Sequence, residues 1–271
     1  MSKKIKYSFV GIILILIIVF IGIHFIAPYA ITQPQRVNED ITPNDLNLKS
    51  DQLNGKTKEN FSRSGYWIKS EQDSARGIII LVHGIGGCKE HFLGLSKDLA
   101  SEGIETIVFD GRAHGKSEGE FCTFGYKEKF DISKIVDEIK NKNPNLPIGI
   151  WGNSLGGAIA IQALEIENRI DFGIIESTFT ELDKIVFDYK KRILKGFGIK
   201  RLSDYALNQA SKIADFDFQK VKPIESVKKI EQPILMVHGD ADKNISSEYG
   251  CLLYTSPSPR DATLSRMPSS A

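Results

Sequence analysis

The stretch Trp151-Gly-Asn-Ser-Leu-Gly-Gly157 limits how this chain can fold more than any other. Pro147–Trp151 before it is short, apolar and partly β-branched, the pattern of a buried strand, and Ala158–Leu164 after it is Ala-rich and predicts a helix. Between them, Gly152-Asn-Ser154-Leu-Gly156 fits G-x-S-x-G, a pattern that works only as a sharp turn from strand into helix. A turn packed that tightly leaves no room for Cβ atoms, which accounts for the glycines. Ser154 is then expected to stand exposed at a helix N-terminus, where backbone N–H groups and the helix dipole favour a developing negative charge. Taken alone the pattern arises by chance in Gly-rich turns; the flanking strand and helix give it chemical meaning.

Ser8 to Ala27 is a nearly unbroken apolar run, and about 20 residues at ~1.5 Å each cross the ~30 Å hydrocarbon core of a bilayer. Lys3, Lys4 and Lys6 precede it, so 1–7 are expected to be a cytoplasmic stub, 8–27 a transmembrane anchor, and the rest extracytoplasmic. A cleaved signal peptide is the rival reading, but its apolar region usually runs ~7–15 residues and no small-x-small cleavage site follows here. His24, near the outer end of the run, carries no expected role. Residues 28–59 are polar, with Pro28, Pro34 and Pro43, and read as a tether. Lys and Arg number 35 against 34 Asp and Glu, so the basic excess that nucleic acid binding calls for is missing. The three cysteines lack the spacing of a disulfide framework or a zinc site.

From about Phe61 strands and helices alternate. Gly77–His83 is apolar on both faces, as a central parallel strand requires, and Glu105–Asp110, Phe172–Glu176 and Pro233–His238 follow the same rule. Lys127–Lys142 carries Ile132, Ile135, Val136 and Ile139 on one helical face. This β–α alternation predicts an α/β fold with a doubly wound, mostly parallel sheet. Residues 180–215 break the alternation. Their Phe187, Tyr189, Ile193, Leu194 and Phe197 suit either a lid over the site or a surface helical pair packed on the sheet.

Sites in open α/β sheets form beyond the carboxyl ends of the strands. The turn in Val82-His-Gly-Ile-Gly-Gly87 brings backbone N–H groups toward Ser154, with Ile85 and Leu155 N–H as candidate oxyanion donors. A phosphate cradle is disfavoured because no Lys-[Ser/Thr] follows either Gly-rich loop. His83 is expected to shape its loop, and His114, in Asp110–Gly119, to shape a loop or face solvent. His238, Asp240 and Asp242 end the last strand; a turn there supplies no metal geometry, whereas a carboxylate can orient a histidine. Glu176 is the second candidate acid.

Four motifs then stand in a familiar order: HGIGG at 83–87, DGRAHGKSEG at 110–119, GNSLGG at 152–157 and HGDAD at 238–242. Over ~61–250 the chain resembles the α/β-hydrolase superfamily. Within it, the chain is similar to membrane-anchored or secreted bacterial serine hydrolases related to monoacylglycerol lipases, lysophospholipases and the S33 aminopeptidase-like group. The resemblance implies Ser154 as nucleophile, Ile85 and Leu155 as oxyanion donors, and Asp242 as triad acid, the H-G-x-x-D spacing from His238 selecting it over Asp240. It further implies a hydrolase domain over 60–250 with a small lid at about 180–215, a small acyl-ester or lipid substrate, and no metal or organic cofactor. Peptidase, thioesterase or amidase chemistry, and a non-catalytic binding protein on the same fold, stay open.

One departure is plain. The superfamily runs Ser…Asp…His, and here all five histidines, at 24, 83, 91, 114 and 238, precede Asp242. No helix–strand pair is legible after Ile245; residues 251–271 have no periodicity and three prolines. Cys251 to Asp261 reads codon by codon as a transposase-type sequencing-library adapter, and Ser265 to Ala271 as the primer beyond it. The expectation is an adapter-derived tail over 251–271, a domain incomplete at its C-terminus, and a chain without its general base.

Overall fold

Strand after strand here is apolar on both faces, which requires helices on both sides of the sheet. In the computed structural model, which describes residues 3–256 and 263–267, eight strands form one sheet. They are β1 (Ser50–Gln52), β2 (Gly65–Ile68), β3 (Gly77–Val82), β4 (Ile104–Phe109), β5 (Ile148–Asn153), β6 (Phe172–Glu176), β7 (Ile234–Gly239) and β8 (Thr263–Met267), in the order β1-β2-β4-β3-β5-β6-β7-β8. β1 and β2 pair antiparallel; every pair from β4 to β8 is parallel. The nine α-helices among the described residues are α1 (Lys3–Ile21), α2 (Ala27–Thr32), α3 (Leu93–Ser101), α4 (Glu128–Lys142), α5 (Leu155–Leu164), α6 (Leu182–Ile193), α7 (Lys200–Ala214), α8 (Pro223–Ser226) and α9 (Ser247–Thr255).

β3 shows how the core divides. Ile78, Ile80 and Val82 join α4 and α5 in one apolar cluster, while Ile79 and Leu81 join Leu93 and Ala100 of α3 in the other. Every residue of α5 is buried, so this helix has no polar face to lose. The expected doubly wound, mostly parallel sheet is the fold.

At the N-terminus, α1 is apolar all round and its side chains from Phe9 to Ile21 pack against little of the domain. A π-helical turn, Gly22–Ile26, carries it into α2, so that Tyr7–Thr32 forms one apolar helical span of 26 residues.

Two expectations need correction. Residues 28–59 are not a free tether. Thr32 is buried and its carbonyl accepts from Cys122 N. The Arg36 guanidinium donates to the carbonyls of His114, Gly115, Ser117 and Gly119. Leu48 and Leu53 lie in the core and β1 extends the sheet. The prolines and polar residues mark turns, such as the capped 3-10 turn Pro43–Leu46, rather than a linker. The second correction concerns the edge beyond β7: α9 and β8 occupy it. Leu253 of α9 is buried, and β8 pairs in parallel from Leu235↔Thr263 to Gly239↔Met267. The open edge of β7 carries unpaired N–H and C=O groups that any extended segment can satisfy, without apolar periodicity in that segment. Residues 257–262 and 268–271 of the expected tail lie outside the described residues.

A buried ionic cluster joins this N-terminal stretch to the sheet. Arg112 Nε donates to Asp131 Oδ2 at 2.9 Å, Nη2 donates to Oδ1 at 2.9 Å and to Oδ2 at 2.7 Å, and Nη1 reaches Glu59. Burial pushes the Asp131 carboxyl up to about 6 in spite of that partner. Removing only the cation strands buried carboxylates. Arg112→Met is therefore expected to lower the unfolding free energy by about 3–5 kcal/mol, seen as a shifted urea midpoint in detergent, and Arg112→Met with Asp131→Leu to recover part of the loss.

Candidate active site

The turn from β5 into α5 puts Ser154 at φ 55° and ψ −116°, outside the regions L-residues ordinarily occupy. Its neighbours show what holds it there. A Cβ at Gly152 would run into the Gly156 carbonyl, and one at Gly156 into the Val82 carbonyl of β3. Ser154 N donates to the Glu176 carbonyl at 2.8 Å, and Thr178 Oγ1 donates to the Ser154 carbonyl at 2.8 Å. The strained residue is thus clamped between β3 and β6. Thr178 was not singled out from sequence; it lies past the end of β6, where no periodicity marks it.

Ser154 Oγ has no hydrogen-bond partner among the described residues and opens into a cavity of about 190 Å³. The rest of the lining is apolar or aromatic: Phe124 and Phe179, Ile185 and Val186 of α6, and Ile31 of α2 among others. Ile85 and Leu155 both line this cavity. Leu155 is the first residue of α5, so its N–H is one of the helix's unpaired donors, and Ile85 N–H has no acceptor among the described residues. Within 180–215, α6 walls the cavity with Leu182, Ile185, Val186 and Tyr189. α7 packs instead on α2.

Asp242 lies nearby but not in that cavity. Its Oδ1 accepts from Asn244 N at 2.7 Å and Ile245 N at 3.0 Å, closing its own turn, and Oδ2 is 3.8 Å from His238 Nε2. It lines an adjoining polar cavity of about 320 Å³ with Asp188, Arg192 and Asp240, and Ile185 borders both spaces. The structure therefore brings Ser154, Ile85 and Leu155 together and sets Asp242 one layer of side chains away. Glu176, the second candidate acid, receives a hydrogen bond from the Trp151 indole at 3.4 Å.

None of the histidines bonds to Ser154. His83 Nε2 accepts from Gly111 N at 3.0 Å and its Nδ1 faces the Gly84 carbonyl at 2.8 Å, so the ring is the neutral Nδ1–H tautomer with both nitrogens engaged. His114 stacks edge-on against it at 4.8 Å and its Nδ1 bonds to the Arg112 carbonyl. Both rings shape the loops at the ends of β3 and β4. His238 Nε2 bonds to the Ile245 carbonyl at 2.9 Å. His91 and Glu39 pair at the surface, and His24 Nδ1 lies 2.7 Å from the Tyr205 hydroxyl. Among the described residues, Glu39, Cys88 and His91 are the one group spaced closely enough for a metal. Burial pushes the Cys88 thiol up to about 11, with the neighbouring Glu90 adding to the effect.

Burial pushes His83 down to about 4, with the nearby His114 adding to the effect, and burial also lowers His114. An unfolded chain takes up protons at these rings near pH 6.5 while the folded one does not. The two rings are therefore expected to cost stability as pH falls from about 6.5 toward about 4, while Asp131, whose raised carboxyl takes up its proton first in the folded state, works the other way below about pH 6. The slope from His83 alone is about 1.4 kcal/mol per pH unit, measurable as the difference in urea midpoints between the chain and its His83→Gln variant from pH 7.5 to 4.5.

The sequence profile described as Serine aminopeptidase, S33 matches residues 73–212, a range that holds Ser154 and its turn but stops short of Asp242. The lysophosphatidylserine lipase ABHD12 of Macaca fascicularis is 30% identical over 203 residues, covering 71% of this chain and 48% of that protein. The uncharacterised protein YqkD of Bacillus subtilis is 28% identical over 173 residues, 62% of this chain and 55% of that one. The chain thus spans about half the length of these relatives. Among solved structures, the esterase Pf2001 of Pyrococcus furiosus superposes with a TM-score of 0.71 at 26% identity, over 87% of this chain and 88% of that one. With the profile covering more than half of its residues and the strand–Ser154–helix turn inside the match, the chain belongs to the serine aminopeptidase S33 family of α/β hydrolases.

Proposed function

We propose that this protein is a membrane-anchored serine hydrolase that cleaves carboxylic esters, lipid esters foremost, through an acyl-serine intermediate. The observation that carries the reading is Ser154 itself. It is held at positive φ, unpartnered at Oγ, at the mouth of a helix N-terminus and in an apolar cavity. Its Oγ attacks the acyl carbonyl while Ile85 and Leu155 N–H hold the developing oxyanion. A histidine oriented by Asp242 takes the serine proton and returns it to the leaving alcohol; water then releases the acid by the same route. The cavity lining suits an acyl chain better than a peptide, and the lipase and esterase named among the relatives support the same choice. Thioester and amide chemistry share the mechanism. It needs neither a metal nor an organic cofactor, and nothing in the charge balance favours nucleic acid.

The base is the one part that this chain does not hold. We propose that 251–271 are adapter-derived and that the natural gene continues past Gly250. It would carry a histidine ~25–30 residues after Asp242, following one crossover helix of ~10–15 residues and one strand of ~5–6. The topology supports that placement: β7 leads directly into the Asp242 turn, so a parallel strand added beside β7 would send its following loop out next to that turn. The present chain is expected to turn over no short-chain nitrophenyl ester, since removing the triad histidine costs ~10⁶-fold in kcat in subtilisin. The gene product with its natural continuation is expected to be labelled at Ser154 by a fluorophosphonate and to lose kcat by several orders of magnitude when the downstream histidine becomes alanine. Absence of labelling would favour a binding protein on the same fold.

The apolar span and the lysines before it support an anchor through 8–27 with the domain outside. A reporter fused after Gly250 is expected to be active only outside the cytoplasm and to stay with membranes through a carbonate wash. Release of a soluble shortened form would show signal cleavage instead.

A further inference from the structure

The segment joining α6 to α7 reads Lys-Lys-Arg-Ile-Leu-Lys-Gly-Phe-Gly-Ile-Lys-Arg over 190–201, without one acidic residue. Its apolar side chains are turned outward: Ile193 is 75% exposed, Phe197 80% and Ile199 61%. Among the described residues Lys190, Lys191, Lys195 and Arg201 have no ion-pair partner, although Lys200 pairs with Asp183 and Asp204. Exposed aliphatic and aromatic groups among unpaired cations are poorly placed in water but well placed at an anionic lipid surface.

The direction of α7 says where the segment lies. Near its start, the Tyr205 hydroxyl meets His24 in the π-turn of the apolar span. Past its other end, Phe216 packs against Phe124 at 6.4 Å, close to Cys122, whose N–H bonds to the Thr32 carbonyl at the end of α2. α7 therefore runs parallel to residues 24–32, and the 194–199 segment, which precedes α7, is left at the end where the span departs from the domain.

We infer that residues 193–199 form a second membrane contact, inserting Ile193, Phe197 and Ile199 into an anionic bilayer leaflet while the flanking lysines and Arg201 pair with lipid headgroups. The inference rests on the anchor reading of 8–27. It has a consequence for substrate entry: α6 and α2 both wall the Ser154 cavity, and both lead directly to the bilayer surface. The substrate class this favours is an amphiphile with an acyl chain, taken from the lipid layer rather than from water.

The test uses the full chain carrying Phe197→Trp in vesicles of phosphatidylcholine with and without phosphatidylglycerol, with brominated acyl chains as quencher. Trp67 is buried, and the unsubstituted chain supplies the baseline for Trp67 and Trp151 together. The emission added by the substitution is expected to be blue-shifted and mostly lost to the bromolipid in phosphatidylglycerol vesicles, with less quenching in their absence. Adding Lys191→Glu and Lys195→Glu is expected to restore much of it. No quenching in a chain that survives a carbonate wash overturns the inference and leaves the anchor standing. Equal quenching in both vesicle types overturns the anionic-lipid assignment. A chain that carbonate removes refutes the anchor instead, and its quenching on added vesicles still decides the segment's contact.

Discussion

Backbone meets backbone where α5 begins. Gly156 sits against the Val82 carbonyl and Gly152 against the Gly156 carbonyl, at separations that no side chain tolerates. This close approach lets the chain leave β5 and enter α5 within one residue, and that one residue, Ser154, is the one forced to positive φ. The strain costs of order 1–3 kcal/mol and persists only because the surroundings over-determine it. Here the surroundings are β3 on one side and the β6 end, with Glu176 and Thr178, on the other. The burial of all of α5 in the larger apolar cluster supplies the opposing free energy.

The loops around the site are held by polar groups removed from water. The Asp110 carboxylate accepts from Lys89 N and Nζ and from Lys116 N, joining the loop after β3 to the loop after β4. His83 adds a second tie to Gly111. Such networks stiffen the loop that carries Ile85, and the tie to Gly111 needs the neutral ring that burial favours at His83.

The N-terminal stretch is part of the domain rather than a leash. Ile31 lines the Ser154 cavity, Arg36 caps four carbonyls of the loop after β4, and β1 closes the far edge of the sheet. The apolar span thus continues through α2 into contacts with α7 and with the cavity wall.

Local rules decided much from sequence alone. Doubly apolar runs such as 77–83 can be only central strands with helices on both faces, and the Gly152–Gly156 pattern admits only a strand–turn–helix, so the fold and the placement of Ser154 were legible in residue order. The loop role of His83 was legible too, because its motif position matters more than its side-chain type. Contacts across the fold were not legible, because they leave no periodic trace. Residues 28–59 look like a linker because turns and linkers share Pro, Asn and Asp, and only the buried faces of Leu48 and Leu53 distinguish them. β8 has no strand pattern because a β7 edge supplies pairing through backbone groups common to every sequence. The separation of Ser154 and Asp242, with Ile185 between their cavities, belongs to tertiary structure alone: it depends on how α6 packs against the turn after β7, where Arg192 donates to the Lys243 and Asn244 carbonyls.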